Sequence, residues 1–419
     1  MSISVLQLNN ADTGWGAARA ALRLHRSFGS HSDIQVTSLL RVAQSKSGLS
    51  SVHGPQTPVA RAWPLLRMVL GASLQPLQRS ANPVRHSASW LPSRLDHSLN
   101  ASPADLLHLH WVQEDLLSIE AIGRLLKPLV WTLHDTWAFC GSEHYPRSLE
   151  DQRFVQGYLR SNRAVVDRGL DLDRWCWHRK RRAWRRPIQL IAPSRWMADC
   201  VRRSALMHDW SVQVIPNALP VTTYRPWPRL LARQLFGLPP EAPVALFGAV
   251  GGSQDPRKGW DLLATALPQL VGRFPSLEAV VCGQAEPADP PRLGLPVHYM
   301  GRLHDDQSLA MLYSAADVVV VPSRLDNLPQ MATEAQSCGA PVVAFDCGGL
   351  PDVVQHQQTG YLARPYDTAD MAQGMAWVLE SAERHAQLGQ AARQRAMQLW
   401  SPAVVARQHR DLYEAVLQS

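Results

Sequence analysis

Short apolar runs alternate with amphipathic helical stretches along most of this chain, and the alternation starts twice. No other feature constrains the fold as strongly. A strand–helix–strand alternation buries its apolar runs by forming a parallel sheet with helices on its faces. In the first series the strands read "SVLQLN" (4–9), "IQVTSLL" (34–40), "DLLHLHWV" (105–112), "LVWTLHD" (129–135), "IQLIAPS" (188–194) and "SVQVIPN" (211–217). The helix "AARAALRLHRSF" (17–28) follows the first of them, with positions 17, 21, 24 and 28 on one apolar face. The second series reads "PVALFGAV" (243–250), "LEAVVCG" (277–283), "VHYMG" (297–301), "DVVVVPS" (317–323) and "PVVAFD" (341–346). Its helices are expected near 260–274, 305–316 and 329–338, and after 366 the chain reads as helix over 368–382, 384–399 and 401–418.

A chain of 419 residues is long for one core and suits two domains of roughly 200 residues each. Prolines crowd residues 218–240, which sets the boundary: 1–220 and 221–400, with 401–419 as a terminal helix. Residues 43–103, rich in Ser, Pro and His, read as an irregular insertion with one helix near 59–71. The expected class is α/β, two Rossmann-like doubly wound parallel sheets facing a cleft. Ligands of such sheets bind beyond the carboxyl ends of the strands.

Composition narrows the partners. With 46% hydrophobic and 18% charged residues the chain is an ordinary globular one. Six cysteines (140, 176, 200, 282, 338, 347) form no CxxC pair and read as buried thiols. "MSISVLQLNN" lacks a basic and apolar leader, and no apolar run reaches the ~18 residues of a membrane helix, so a cytoplasmic location is expected. The formal charge of +7 favours anionic partners without choosing among them. Part of it sits in "RWCWHRKRRAWRR" (174–186), which reads either as a solvated helix or loop or as peripheral contact with an anionic membrane. Nucleic acid is not expected as a partner.

Four constellations carry chemistry. "NADTGWGAARAALRL" (10–24) places Gly14 and Gly16 between strand and helix, where backbone can approach a ligand; a plain tight turn explains them equally well. It is no GxGxxG fingerprint, because position 19 is arginine, which speaks against a dehydrogenase. "WTLHDTWAF" (131–139) closes a strand with His134 and Asp135, whose side chains point to opposite faces and form no dyad; His134 is placed to meet substrate or serves structure. His108 and His110 share a strand face without a third metal ligand nearby in sequence. "GAVGGSQDPRKGWDLLATAL" (248–267) sets Arg257 and Lys258 at a helix start, where an anion such as a diphosphate would reconcile cations with the helix dipole.

The fourth is "SRLDNLPQMATEAQSCGAPVVA" (323–344). Asp326 follows a strand, Asn327 or Leu328 caps a helix with Pro329 in its first turn, and Gly339 ends it. No lysine or arginine lies between Arg324 and Arg364, so Asp326 and Glu334 are expected to be satisfied by hydroxyl donors of a ligand. Hydroxyls at both ends and phosphate in the middle describe a nucleotide sugar.

Together "GWGAAR", "HLHWV", "TLHDTWAF", "IAPSRWM", "VIPNAL", "RKGWDLL", "PSRLDNLPQMATEA", "SCGAPVVA" and "TGYLARPYD" resemble the retaining GT-B glycosyltransferases of family 4. Nearest in kind are bacterial enzymes of exopolysaccharide and surface-glycan synthesis. The resemblance implies a sugar nucleotide as donor, with UDP- or GDP-sugars favoured, a glycan or lipid-linked acceptor, and no metal or other cofactor. It implies that Glu334 holds the ribose, Asp326 the donor sugar, and Asn327, Leu328 and Lys258 the diphosphate. Gly14 and Gly16 would border the phosphate and acceptor region, His134 would line the sugar pocket, and helix 401–418 would pack on the first domain. The chain departs from the family at Asp326, mostly glutamate there, and at 250–253, where Val-Gly-Gly-Ser replaces an expected arginine and Arg257 stands as its substitute. A catalytically silent sugar-nucleotide-binding protein is the alternative.

Overall fold

The computed structural model describes residues 2–151, 153–248 and 255–419. The chain forms two compact units, Met1–Ala218 with Val405–Ser419, and Leu219–Val404.

The first unit is built on β1 (Ile3–Ala11), β2 (Val36–Gln44), β3 (Val52–His53), β4 (Leu106–Leu109), β5 (Leu129–Thr132), β6 (Gln189–Ala192) and β7 (Val212–Val214). They line up as β3-β2-β1-β4-β5-β6-β7, every pair parallel. Leu106, Leu107 and Leu109 are buried on both faces of β4, as central strands of a parallel sheet must be. Several strands stop short of their apolar runs. The expected strand at 105–112 is regular only over Leu106–Leu109, although the amide of His110 still donates to the carbonyl of Leu8 at 2.9 Å. The insertion holds the helix Pro58–Gly71, started by Thr57 accepting from the amide of Ala60. Helix Pro402–Gln418 ends the unit: Val405, Ala406, Leu412 and Tyr413 share one cluster with Ile3, Val5 and Leu24.

The second unit is built on β8 (Val244–Gly248), β9 (Glu278–Cys282), β10 (Val297–Tyr299), β11 (Val318–Val321), β12 (Val342–Phe345) and β13 (Gly360–Ala363), in the order β10-β9-β8-β11-β12-β13. All five pairings are parallel. The chain winds outward one way from β8 and the other way from β11, so the switch point lies between these two strands. Loops leaving their carboxyl ends therefore meet there.

The run 174–186 is helical for most of its length and only partly exposed. It belongs to helix Leu172–Ala183 and the residues after it. Helical periodicity turns Trp177 and Lys180 inward, and Trp184 joins them in the core. The Lys180 ammonium donates to the carbonyls of Trp137, Cys140 and Gly141, and Arg179 pairs with Glu120. Of its cations, Arg181, Arg182, Arg185 and Arg186 are exposed, with Trp175 beside them.

Candidate functional site

The loops after β8 and β11 are laced together. The amide of Arg324 donates to the carbonyl of Arg257 at 2.7 Å, and its guanidinium grips both carboxylate oxygens of Asp261 at 2.7 and 2.6 Å. Gly259 makes this approach possible: its φ is +69°, and a Cβ there would lie 1.9 Å from the carbonyl oxygen of Pro322. Lys258 is thereby delivered to Asp326, and its ammonium donates to Asp326 Oδ2.

This corrects the expectation that Asp326 has no cationic partner. The partner comes from 68 positions upstream, across two adjacent strands, where local charge pattern gives no sign of it. Burial pushes the Asp326 carboxyl up, but Lys258 and then Arg257 outweigh it and hold the group below its ordinary value. The amide of Asn327 adds a hydrogen bond to Asp326 Oδ1 at 3.0 Å. Arg257 itself is turned toward Asp255, 2.8 Å away. The segment 249–254, which includes the departure at 250–253, lies outside the described residues.

Glu334 sits on helix Gln330–Ser337, with Pro329 at the cap rather than in the first turn, and Leu328 is buried just before it. Glu334 is 1% exposed and accepts from the Tyr313 hydroxyl at 2.9 Å. Tyr313 was invisible in the sequence, since a tyrosine on the helix Asp306–Ala315 looks like ordinary packing. Gly348, with φ +58°, supports Asp326 from behind; a Cβ there would lie 2.6 Å from the Asp326 carbonyl oxygen.

In the first unit, Gly14 has φ +100° with open space where its Cβ would be, and Gly16 begins the helix Gly16–Gly29. His134 follows β5, and its Nε2 lies 3.1 Å from His110 Nδ1; His110 Nε2 in turn meets Gln7 Oε1 at 2.8 Å. Burial pushes His134 down to about 4, so the ring is neutral at pH 7. Asp135 turns the other way, to His144 and Trp111, in line with the expected absence of a dyad. Among the described residues, His86, Glu143 and Asp173 place ligand atoms within 4.8 Å of one another and could hold a metal ion. Burial and the neighbouring Asp173 raise Glu143 well above its ordinary value, so a shared proton suits the pair as it stands.

The comparisons with known proteins follow this division. Residues 16–222 match the family model described as Glycosyltransferase Family 4, and residues 245–381 that of Glycosyl transferases group 1. A D-inositol 3-phosphate glycosyltransferase of Corynebacterium aurimucosum is 34% identical over 333 residues, 74% of this chain and 71% of that protein. The chain belongs to glycosyltransferase family 4. A second such relative, from Catenulispora acidiphila, is 35% identical over 212 residues, 46% of this chain and 49% of its own length. The chain spans about half the length of several of these relatives. Two solved structures share the GT-B fold of this family 4 member. Sucrose-phosphate synthase of Thermosynechococcus elongatus has a TM-score of 0.67 at 18% identity, covering 99% of both chains. Anabaena HepE, solved with UDP and glucose, has a TM-score of 0.66 at 18% identity, covering 99% of this chain and 100% of that one.

Proposed function

We propose that this family 4 member is a retaining hexosyltransferase that moves a sugar from a nucleoside diphosphate, UDP or GDP, to a hydroxyl of a glycan or lipid-linked acceptor in surface polysaccharide synthesis. The observation that carries the reading is the Lys258–Asp326 pair at the switch point, with Glu334 on the helix that follows. A diphosphate would draw the Lys258 ammonium and free Asp326 for a sugar hydroxyl, while Glu334 accepts from the ribose. The cationic side chain and the start of helix Gln330–Ser337 would take up the leaving diphosphate's charge, which is the job a metal does elsewhere. No metal is invoked. Neutral His134 would meet the donor sugar without adding charge near the reacting carbon, and the Gly14–Gly16 turn would border the phosphate and acceptor. HepE, solved with UDP and UDP-glucose, supports a nucleotide sugar as partner.

No helix among the described residues is long and apolar enough to cross a membrane. The four exposed arginines of 181–186 are proposed as a minor contact with an anionic membrane on the cytoplasmic side.

A thermal-shift screen with UDP, GDP, ADP and their sugars tests the donor. A ligand at 100 times its dissociation constant adds about 2.7 kcal/mol, a shift of several degrees. A flat response to all three families would sink the proposal. Binding without transfer or hydrolysis would select the catalytically silent alternative.

A further inference from the structure

The helix Pro58–Gly71 does not behave like a surface helix. Its inward stripe, Ala60, Pro64, Arg67, Met68 and Gly71, follows helical spacing, yet only Gly71 is buried. The opposite face is apolar as well: Val59 is 79% exposed, Val69 64% and Trp63 55%, with Leu66 and Leu70 beside them. Arg61, which is exposed, and Arg67 are its only charged residues; a helix otherwise apolar on both faces belongs inside a protein or against lipid.

Beneath it lies a cavity of 1020 Å³, near the top of the usual range for small-molecule sites. Its floor is Leu6 and Leu8 of β1 with Leu39 of β2, and its roof includes Trp63 and Met68. Charge is one-sided here. From position 34 to 95 the sequence has no Asp or Glu, while it has seven Lys and Arg. Arg41 and Arg94 line the cavity. The acids at its rim, Glu114 and Asp115, are engaged: Glu114 pairs with Arg85, and Asp115 accepts from the amide of Leu91 beside Arg67. The helix is fixed at its far end, where Arg67 donates to the carbonyls of Asp115, Pro92 and Leu91 and Trp90 donates to Gly71.

We infer that this cavity takes the hydrocarbon chain of a phosphate-bearing lipid, presented by an anionic bilayer against which the outer face of the same helix rests. That the lipid is the sugar acceptor rests on the proposed function; that it binds does not. The chain fills apolar volume, the arginines meet the phosphate, and the exposed Val59, Leu66 and Val69 are covered by acyl chains.

The test uses the full chain in two assays, flotation with vesicles and binding of farnesyl phosphate in solution. Flotation is expected with vesicles containing phosphatidylglycerol and not with phosphatidylcholine alone. Leu66→Asp with Val69→Asp should abolish flotation while leaving farnesyl phosphate binding intact. Ala60→Trp, which fills the cavity, should float normally and bind farnesyl phosphate about tenfold more weakly or worse. Failure of the wild-type chain to float at low salt would overturn the membrane contact. Unchanged farnesyl phosphate binding in Ala60→Trp would overturn the cavity's role. A dimer that the aspartate pair dissociates would assign the face to a second copy, and that also overturns the inference. Neither assay uses a nucleotide sugar, so lipid binding and donor binding fail separately.

Discussion

Lys258 and Asp326 satisfy each other in the absence of ligand, and this sets what their substitutions should do. Removing the lysine leaves a carboxylate that is 8% exposed without its cation, so Lys258→Met should cost about 1–2 kcal/mol, with Lys258 itself partly solvated. The double variant Lys258→Met with Asp326→Asn removes both charges and should recover most of that stability. Donor binding should not recover, because the diphosphate has lost its cation and the sugar its acceptor. Urea unfolding and nucleotide-sugar thermal shifts on both variants separate the two effects. A double variant that binds the donor normally would show the pair to be structural. The two residues were legible as site candidates because Asp326 follows a strand and Lys258 stands at a helix start. Their pairing was not, because local sequence order says nothing about which strand ends are neighbours.

At the scale of elements, the site depends on two loops held closer than side chains would permit. Gly259 and Gly348 each adopt positive φ and each lie against backbone of the β11 loop. Gly259→Ala would force the Lys258 loop off the Pro322 carbonyl. It is expected to weaken donor binding by at least about tenfold, from left-handed strain and the displaced lysine together. Gly14→Ala meets no protein atom within 4 Å, so it should cost folding about 1 kcal/mol from backbone strain and weaken donor binding less than Gly259→Ala does. Calorimetric titration of donor into both variants checks the contrast, and equal losses would contradict it. The sequence marked Gly14 by its place between strand and helix, whereas the roles of Gly259 and Gly348 emerged only in the packed structure.

For the whole molecule, helix Pro402–Gln418 completes the first unit rather than the second. Tyr413 lies 2.7 Å from His108 Nδ1, and His108 in turn meets Thr132 at 2.7 Å. Burial pushes His409 on that helix down to about 4 and holds His108 well below its ordinary value. The unfolded chain therefore binds more protons than the folded one between pH 6.5 and about 4. Stability is full above that window and lost as pH falls through it, by about 3 kcal/mol for His409 alone. His409→Leu should flatten the acid side of a plot of Tm against pH. An unchanged acid limb would show that other groups dominate.

Alternation of apolar runs was enough to set two parallel sheets, their approximate strands and the strand ends where chemistry gathers. The reason is that burial on both faces demands continuous apolar stretches, which are visible in one dimension. Strand order, and with it the meeting of residues 258 and 326, was decided by the tertiary structure, as was Tyr313 behind Glu334. So was the fate of 174–186, where helical rotation sent Trp177 and Lys180 inward. Charge and aromaticity describe what a residue can do, but which face it presents is fixed only when the elements pack.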